Sequence, residues 1–349
     1  MNQASNNPPS NQLGAEVNDD QLRSAIEKSG YPLQTIVGNM LRSKPESSEA
    51  KFGVQEEWGF IDQDTKKLRN LDLRADLRLH DWNSQLRVRP QLTLLIECKQ
   101  SQLPYVFFET GDIPWLNNFP VVAGLRTGTV DITSDDDPSS LELTVIDALG
   151  LDQETFQKQP HFCYTLSKCV RDGKNLEISG SETYNGLVLP LVKALQHFVL
   201  AEAPVNTAWY FDGHLTVALA VLDAPMIGVS VNASAPTLTM RPWLRIIRHE
   251  YDEDAEKFDR NHVFALDVVH KDFLSDYLDK HLLPFAACFA ERVLRHPTEL
   301  ATGEAFVRGM AADISDLETR MQPRSTLMRV LRTATTERIL NWIHPKNVD

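Results

Sequence analysis

Three ionisable residues in two short segments could do chemistry together. The segment "LTLLIECKQS" (Leu92–Ser101) is an apolar run that ends in Glu97, Cys98 and Lys99. About 25 residues earlier, "LDLRADLRLH" alternates strictly, with Leu71, Leu73, Ala75, Leu77 and Leu79 at one parity and Asp72, Arg74, Asp76, Arg78 and His80 at the other. A period of two predicts strands for both, each with one face in the core. Leu94, Ile96 and Cys98 then share one face, and Leu95, Glu97 and Lys99 share the other. If the strands are neighbours, Asp72 or Asp76 lies beside Glu97. Adjacent strands are roughly 5 Å apart. Two like charges about 4 Å apart repel by roughly 4 kcal/mol at an effective dielectric near 20. A positive group must therefore occupy the gap. A hard divalent cation, Mg²⁺ or Mn²⁺, suits carboxylate oxygens and bridges to phosphate, and Lys99 can orient a water for attack. That set of groups fits phosphodiester hydrolysis.

The elements that must position these groups are also legible. Leu33, Ile36, Val37, Met40 and Leu41 recur at helical spacing before the polar breaker "SKPESSEA". "KFGVQEEWGFID" reads as a strand, "QDTKK" as a turn, and "LDLRADLRLH" as the second arm of a hairpin. A further helix is predicted over Leu187 to Leu200, with Pro190 tolerated in its first turn. "LTVALAVLDAPMIGVSV", "PWLRIIRHEY" and "HVFALDVV" read as strands. Residues 1–20 are rich in Asn, Pro, Ser and Gln and read as a disordered tail. Residues 21–270 read as the main domain, with a peripheral insertion at about 111–180, and 271–349 as a helical C-terminal region.

An acid on one strand followed by Glu-x-Lys on the next, with a helix upstream, resembles the PD-(D/E)XK, or restriction-endonuclease-like, nuclease superfamily. The resemblance is carried by "WGFIDQDTKKLRNLDLRA" and "LLIECKQSQLPYVFF" and covers about residues 30–110. It implies an α/β fold, a mixed sheet flanked by helices. It also implies Asp72, Glu97 and Lys99 as catalytic residues. Asp72 and Glu97, with the Cys98 backbone carbonyl, would be the metal ligands. The implied activity is metal-dependent endonuclease cleavage of nucleic acid, DNA above RNA, in prokaryotic restriction, repair or defence. The implied partners are the nucleic acid itself and either a second copy of the chain, as a homodimer, or a separate specificity subunit. One position departs from the pattern: "YPLQ" places Gln34 where many members carry an acid, and Glu56 or Glu57 could substitute for it. The alternatives are a nuclease-derived nucleic-acid-binding or scaffold protein without turnover, and an RNA-cleaving toxin.

Composition narrows the other classes. Of 349 residues, 42% are hydrophobic and 24% charged, values typical of globular proteins. The longest apolar region, "GLVLPLVKALQHFVLAEAPV", is interrupted by Pro190, Lys193, Gln196 and His197, so no membrane span is expected. The N-terminus lacks the basic start and apolar middle of a signal peptide, which predicts a cytoplasmic protein. Cys98, Cys163, Cys169 and Cys288 lack paired Cys-x-x-Cys spacing, so reduced thiols are expected. No Gly-x-Ser-x-Gly elbow, P-loop, Gly-x-Gly-x-x-Gly or His-Glu-x-x-His occurs. The formal net charge of −13 opposes binding to phosphate. Between Asp64 and Lys99, however, eight Lys or Arg face five acids, a basic island in an acidic chain.

Overall fold

A computed structural model describes residues 8–307, apart from 9, 15, 47–49, 82–83, 112–115, 117–118, 135–139, 232–234 and 252–260. Trp82 and the arginines between Arg320 and Arg338 lie outside the described residues. The chain opens with α1 (Asp19–Lys28), which is closed at its N-terminus by an Asn18–Gln21 capping box, and α2 (Tyr31–Ser43). The expected tail therefore gives way to helix at Asp19.

The strands in chain order are β1 (Gly53–Ile61), β2 (Leu68–Arg78), β3 (Val88–Gln100), β4 (Tyr105–Thr110), β5 (Val121–Ala123), β6 (Thr129–Ser134), β7 (Ser140–Thr144), β8 (His161–Asp172), β9 (Asn175–Ser179), β10 (Phe211–Asp223), β11 (Met226–Val231), β12 (Pro236–Met240), β13 (Trp243–Tyr251), β14 (Asn261–His270) and β15 (Glu304–Val307). A large mixed sheet runs in the order β1-β2-β3-β10-β14-β13-β8-β4-β11-β12, with β5 added on β10 and β9 on β8. A small second sheet runs β15-β6-β7.

The first three strands form an antiparallel meander, and β3 pairs in parallel with β10 along its whole length, Val88 to Gln100 against Phe211 to Asp223. Parallel neighbours need a crossover. The helix Leu189–Ala201 precedes β10 and packs on β3 and β10. Its buried residues Leu191, Leu195 and Phe198 meet Leu95, Ala218 and Ala220 on one face of the sheet. On the other face, Leu33, Val37 and Leu41 of α2 and Phe285, Phe289 and Val293 of helix Leu283–Arg295 cover Leu73, Leu94 and Ile96. The result is an α/β architecture with helices on both faces of one sheet.

One expectation about organisation is corrected. Segment 111–180 is not a peripheral insertion, because it supplies β8, which lies between β13 and β4 in the large sheet, and β5, which pairs with β10. Phe162, Cys163 and Leu166 of β8 and Val122 of β5 are buried in the core. The region expected to be helical from residue 271 is helical over residues 271–302, and it packs on the sheet. Helix Leu283–Arg295 is the cover of β3, and the described chain continues into β15, which pairs with β6.

One further device ties the far part of the sheet together. Arg245 and Asp267, both fully buried, pair at 2.7 Å. The Tyr277 hydroxyl donates to Asp267, and the Arg245 guanidinium lies over Phe119 and Phe156 and donates to two carbonyls. Every charge in this buried pair is met by a partner, the condition under which such a pair is tolerated. All four cysteines are free thiols, as expected. Among the described residues, no helix is long and apolar enough to cross a membrane.

Candidate functional site

The β2–β3 ladder is regular from Arg78↔Gln91 to Leu73↔Ile96 and stops there. The next residue of β2 is Asp72. Its carboxylate, rather than its backbone, meets β3: Oδ2 accepts from the Cys98 backbone N–H at 2.6 Å. Its freed carbonyl accepts from the Gln34 side chain of α2 at 2.9 Å. The ladder on the other side is interrupted at the same level, where pairs Glu56↔Leu73 and Trp58↔Leu71 bracket Glu57 and Asp72. Glu57 has φ of +52°, a left-handed conformation that side-chain-bearing residues adopt only when their surroundings hold them there. This break also flips the parity of β2. Leu71 packs with the core of the crossover helix, whereas Leu73, Ala75, Leu77 and Leu79 pack on the opposite face. The strict alternation expected from Leu71 onward thus fails at Asp72.

On β3 the expected division holds: Leu94, Ile96 and Cys98 enter one core and Leu95 the other. Glu97 is 6% exposed. One of its oxygens accepts from Lys99 Nζ, and the other, Oε2, is buried with no hydrogen-bond partner among the described residues. Burial and then the neighbouring Asp72 carboxylate push the Glu97 carboxyl up to about 7, against the pull of Lys99. Asp72 is also raised, chiefly by burial, and Glu57 adds to the rise while the Cys98 N–H and Lys99 oppose it. Burial would lower Lys99, but Glu97 and Asp72 outweigh it and hold the ammonium charged. Burial pushes the Cys98 thiol well above its ordinary range, so its side chain is inert.

Asp72, Glu97 and Lys99, the three residues singled out from the sequence, are therefore brought together. Asp76 is not with them. It lies opposite Thr93, four residues down β3, and pairs with Arg74 at 2.8 Å. Of the substitutes for a helix acid, Glu56 is tied to Arg42 at 2.6 Å, and only Glu57 acts on Asp72. His80 is buried, with Nδ1 at 2.9 Å from the Asp81 carbonyl, a strand-end histidine rather than a ligand. Trp58 packs against Phe60 and Phe198.

A polar network beside the site was not anticipated. Thr93 Oγ1 donates to Asp76 at 2.7 Å and lies 3.0 Å from His214 Nδ1, while Arg74 bridges Asp76 to Glu202. Its sequence signal is slight: Thr93 and His214 are polar residues buried within β3 and β10.

Among the described residues, no group of three or more His, Cys, Asp or Glu is placed to hold a metal ion. The pair Asp72 and Glu97 nonetheless fits a hard cation in its chemistry. It comprises two close oxygen donors, one with a buried, unpartnered oxygen on a carboxyl that burial and Asp72 raise despite the Lys99 ammonium. No protein-family model, curated protein or solved structure matches the chain.

Proposed function

We propose that this chain is a metal-dependent nuclease of restriction-endonuclease-like fold that hydrolyses phosphodiester bonds, with DNA as the first substrate to test. The observation that carries the reading is the unpartnered Glu97 Oε2, buried beside Asp72 at the point where β2 parts from β3. Asp72 and Glu97 would hold Mg²⁺ or Mn²⁺, together with the Cys98 carbonyl. Such an ion supplies a water of lowered pKa and stabilises charge on phosphorus. Lys99 keeps its proton and orients the attacking water or the phosphate; Asp72 is held in place by the Cys98 N–H; Gln34 fixes the β2 backbone behind it. Recruitment as a homodimer, or through a separate specificity subunit, belongs to the same proposal.

A second reading, a nuclease-derived scaffold without turnover, is favoured by one observation. Helix α2 presents the amide of Gln34 to β2 where an acid would complete a second metal site. Plasmid cleavage with Mg²⁺ separates the two. The native chain should cut, and Lys99→Ala and Asp72→Asn should each lose about 100-fold or more in rate, the scale of losing one group that orients or stabilises charge in the transition state. Equal rates in all three rule out the centre. No cleavage of DNA with retained DNA binding supports the scaffold, and cleavage of labelled RNA alone would reassign the substrate.

A further inference from the structure

The basic island reaches well beyond the candidate centre. At the opposite end of β3, Arg87 lies with its guanidinium carbon 4.5 Å from the ring centroid of Trp209, whose residue is 63% exposed. Tyr210 beside it is 56% exposed. Arg126 lies 5.8 Å from the Phe211 ring and donates to the Ala208 carbonyl at 3.4 Å, which ties it to the same 202–210 loop. Arg89 pairs with Asp212 at 2.7 Å, and Asp212 also accepts from Gln91. The Nε atoms of Arg87 and Arg89 are buried with no hydrogen-bond partner among the described residues. Arg78 belongs to the same cluster, since it acts on His80 together with Arg89 and Asp212. The support beneath is rigid. Gly124 has φ of +81°, and a Cβ there would meet the Asp212 carbonyl oxygen at 1.9 Å, so the turn leading to Arg126 presses directly on β10.

A chain with a net charge of −13 thus places Arg87, Arg89 and Arg126 on or beside the start of β10 and its preceding loop, and leaves an indole and a phenol open to water. An exposed indole next to a guanidinium matches a ligand with a planar ring joined to an anion, the repeating chemistry of a nucleotide strand. We infer that the Arg87–Trp209–Arg126 patch is a second nucleic-acid contact, on which a base of an unpaired strand stacks against Trp209 while its phosphates meet Arg87 and Arg126. The choice of a nucleic acid over another polyanion rests on the nuclease reading. From Arg87 to Lys99 the chain rises about 40 Å at ~3.3 Å per residue. A strand with one phosphate per ~3.4 Å would take about 12 nucleotides to reach from the patch to the candidate centre.

The test is fluorescence anisotropy of a labelled 20-nucleotide single strand against the full chain in EDTA, so that no cleavage intervenes. Trp209→Ala should weaken binding about 10-fold, as expected for loss of one stacked base, and Trp209→Phe should bind within about twofold of the native chain. Arg87→Ala should reduce the salt slope by about 0.7, the value for one phosphate on a single strand. Native affinity in Trp209→Ala, no binding by the native chain, or displacement by polyglutamate as effective as by oligonucleotide would each overturn the inference. Failure of the nuclease reading shows separately: single-strand binding that depends on Trp209 without plasmid cleavage discards that reading and keeps the patch. Cleavage with unchanged binding in Trp209→Ala does the reverse.

Discussion

Glu97 governs the pH behaviour of the proposed centre. Its carboxyl holds a proton up to about 7, because burial and Asp72 both disfavour the anion, whereas its ordinary value is 4.5. Between these values the native state binds the extra proton and the unfolded chain does not. The stabilisation from this residue is therefore full below about 4.5 and is lost as pH rises toward 7. Asp72 is shifted in the same direction. Without metal, the melting temperature of the native chain should fall across this window relative to Glu97→Gln, whose side chain does not titrate, and scanning calorimetry at pH 5 and pH 8 reads the difference. A cation must displace the same proton. Calorimetric titration should accordingly find Mg²⁺ or Mn²⁺ uptake tighter at pH 8 than at pH 5.5, with proton release, and none in Glu97→Gln. Uptake independent of pH would mean that the ion is held elsewhere.

At the level of elements, the centre exists because the β2–β3 ladder ends at Leu73 and the β1–β2 ladder skips Glu57 and Asp72 at the same level. Glu57 marks the break by its left-handed backbone, which costs a residue with a side chain of order 1 kcal/mol and costs glycine little. Glu57→Gly should raise stability by about 0.5–1 kcal/mol in urea unfolding, while Glu57→Ala, which keeps the strain, should not. If Glu57 also supplies a carboxylate toward Asp72, both variants should cut more slowly than the native chain, so stability and rate separate the two roles. The sequence carried much of this arrangement but not the break itself. Alternation in "LDLRADLRLH" and the apolar run before Glu97 were enough to pair β2 with β3 and to set Glu97 and Lys99 on one face. Alternation is a local signal, however, and the splay at Asp72 depends on tertiary hydrogen bonds from Cys98 and Gln34, which no residue spacing announces. The same holds for β8. Its burial alternates irregularly along His161–Asp172, so "HFCYTLSKCVRD" offers no clean period, and its place between β13 and β4 is set by partners distant in sequence.

For the whole molecule, charge sets a limit on how nucleic acid can be held. A net charge of −13 repels a phosphate backbone at long range, so attraction must come from a few cations at close quarters. Several arginines in and beside the sheet are already committed: Arg74 to Asp76 and Glu202, Arg89 to Asp212, Arg241 to Glu109 and Arg245 to Asp267. Lys99 at the proposed centre and Arg87 and Arg126 at the far end of β3 are the cations that the two proposed contacts offer. Three phosphate contacts give a slope of log affinity against log salt near −2.1 for a single strand, which amounts to about a 20-fold loss between 50 and 200 mM salt. Six to ten contacts would lose roughly 300- to 10⁴-fold over the same range. Filter binding of a 20-nucleotide single strand in EDTA over that range should therefore give the shallow slope, and Arg87→Ala combined with Arg126→Ala should bring it near −0.7. A native slope steeper than about −6 would require several further cations, and the arginines from Arg320 to Arg338 would be the first to substitute.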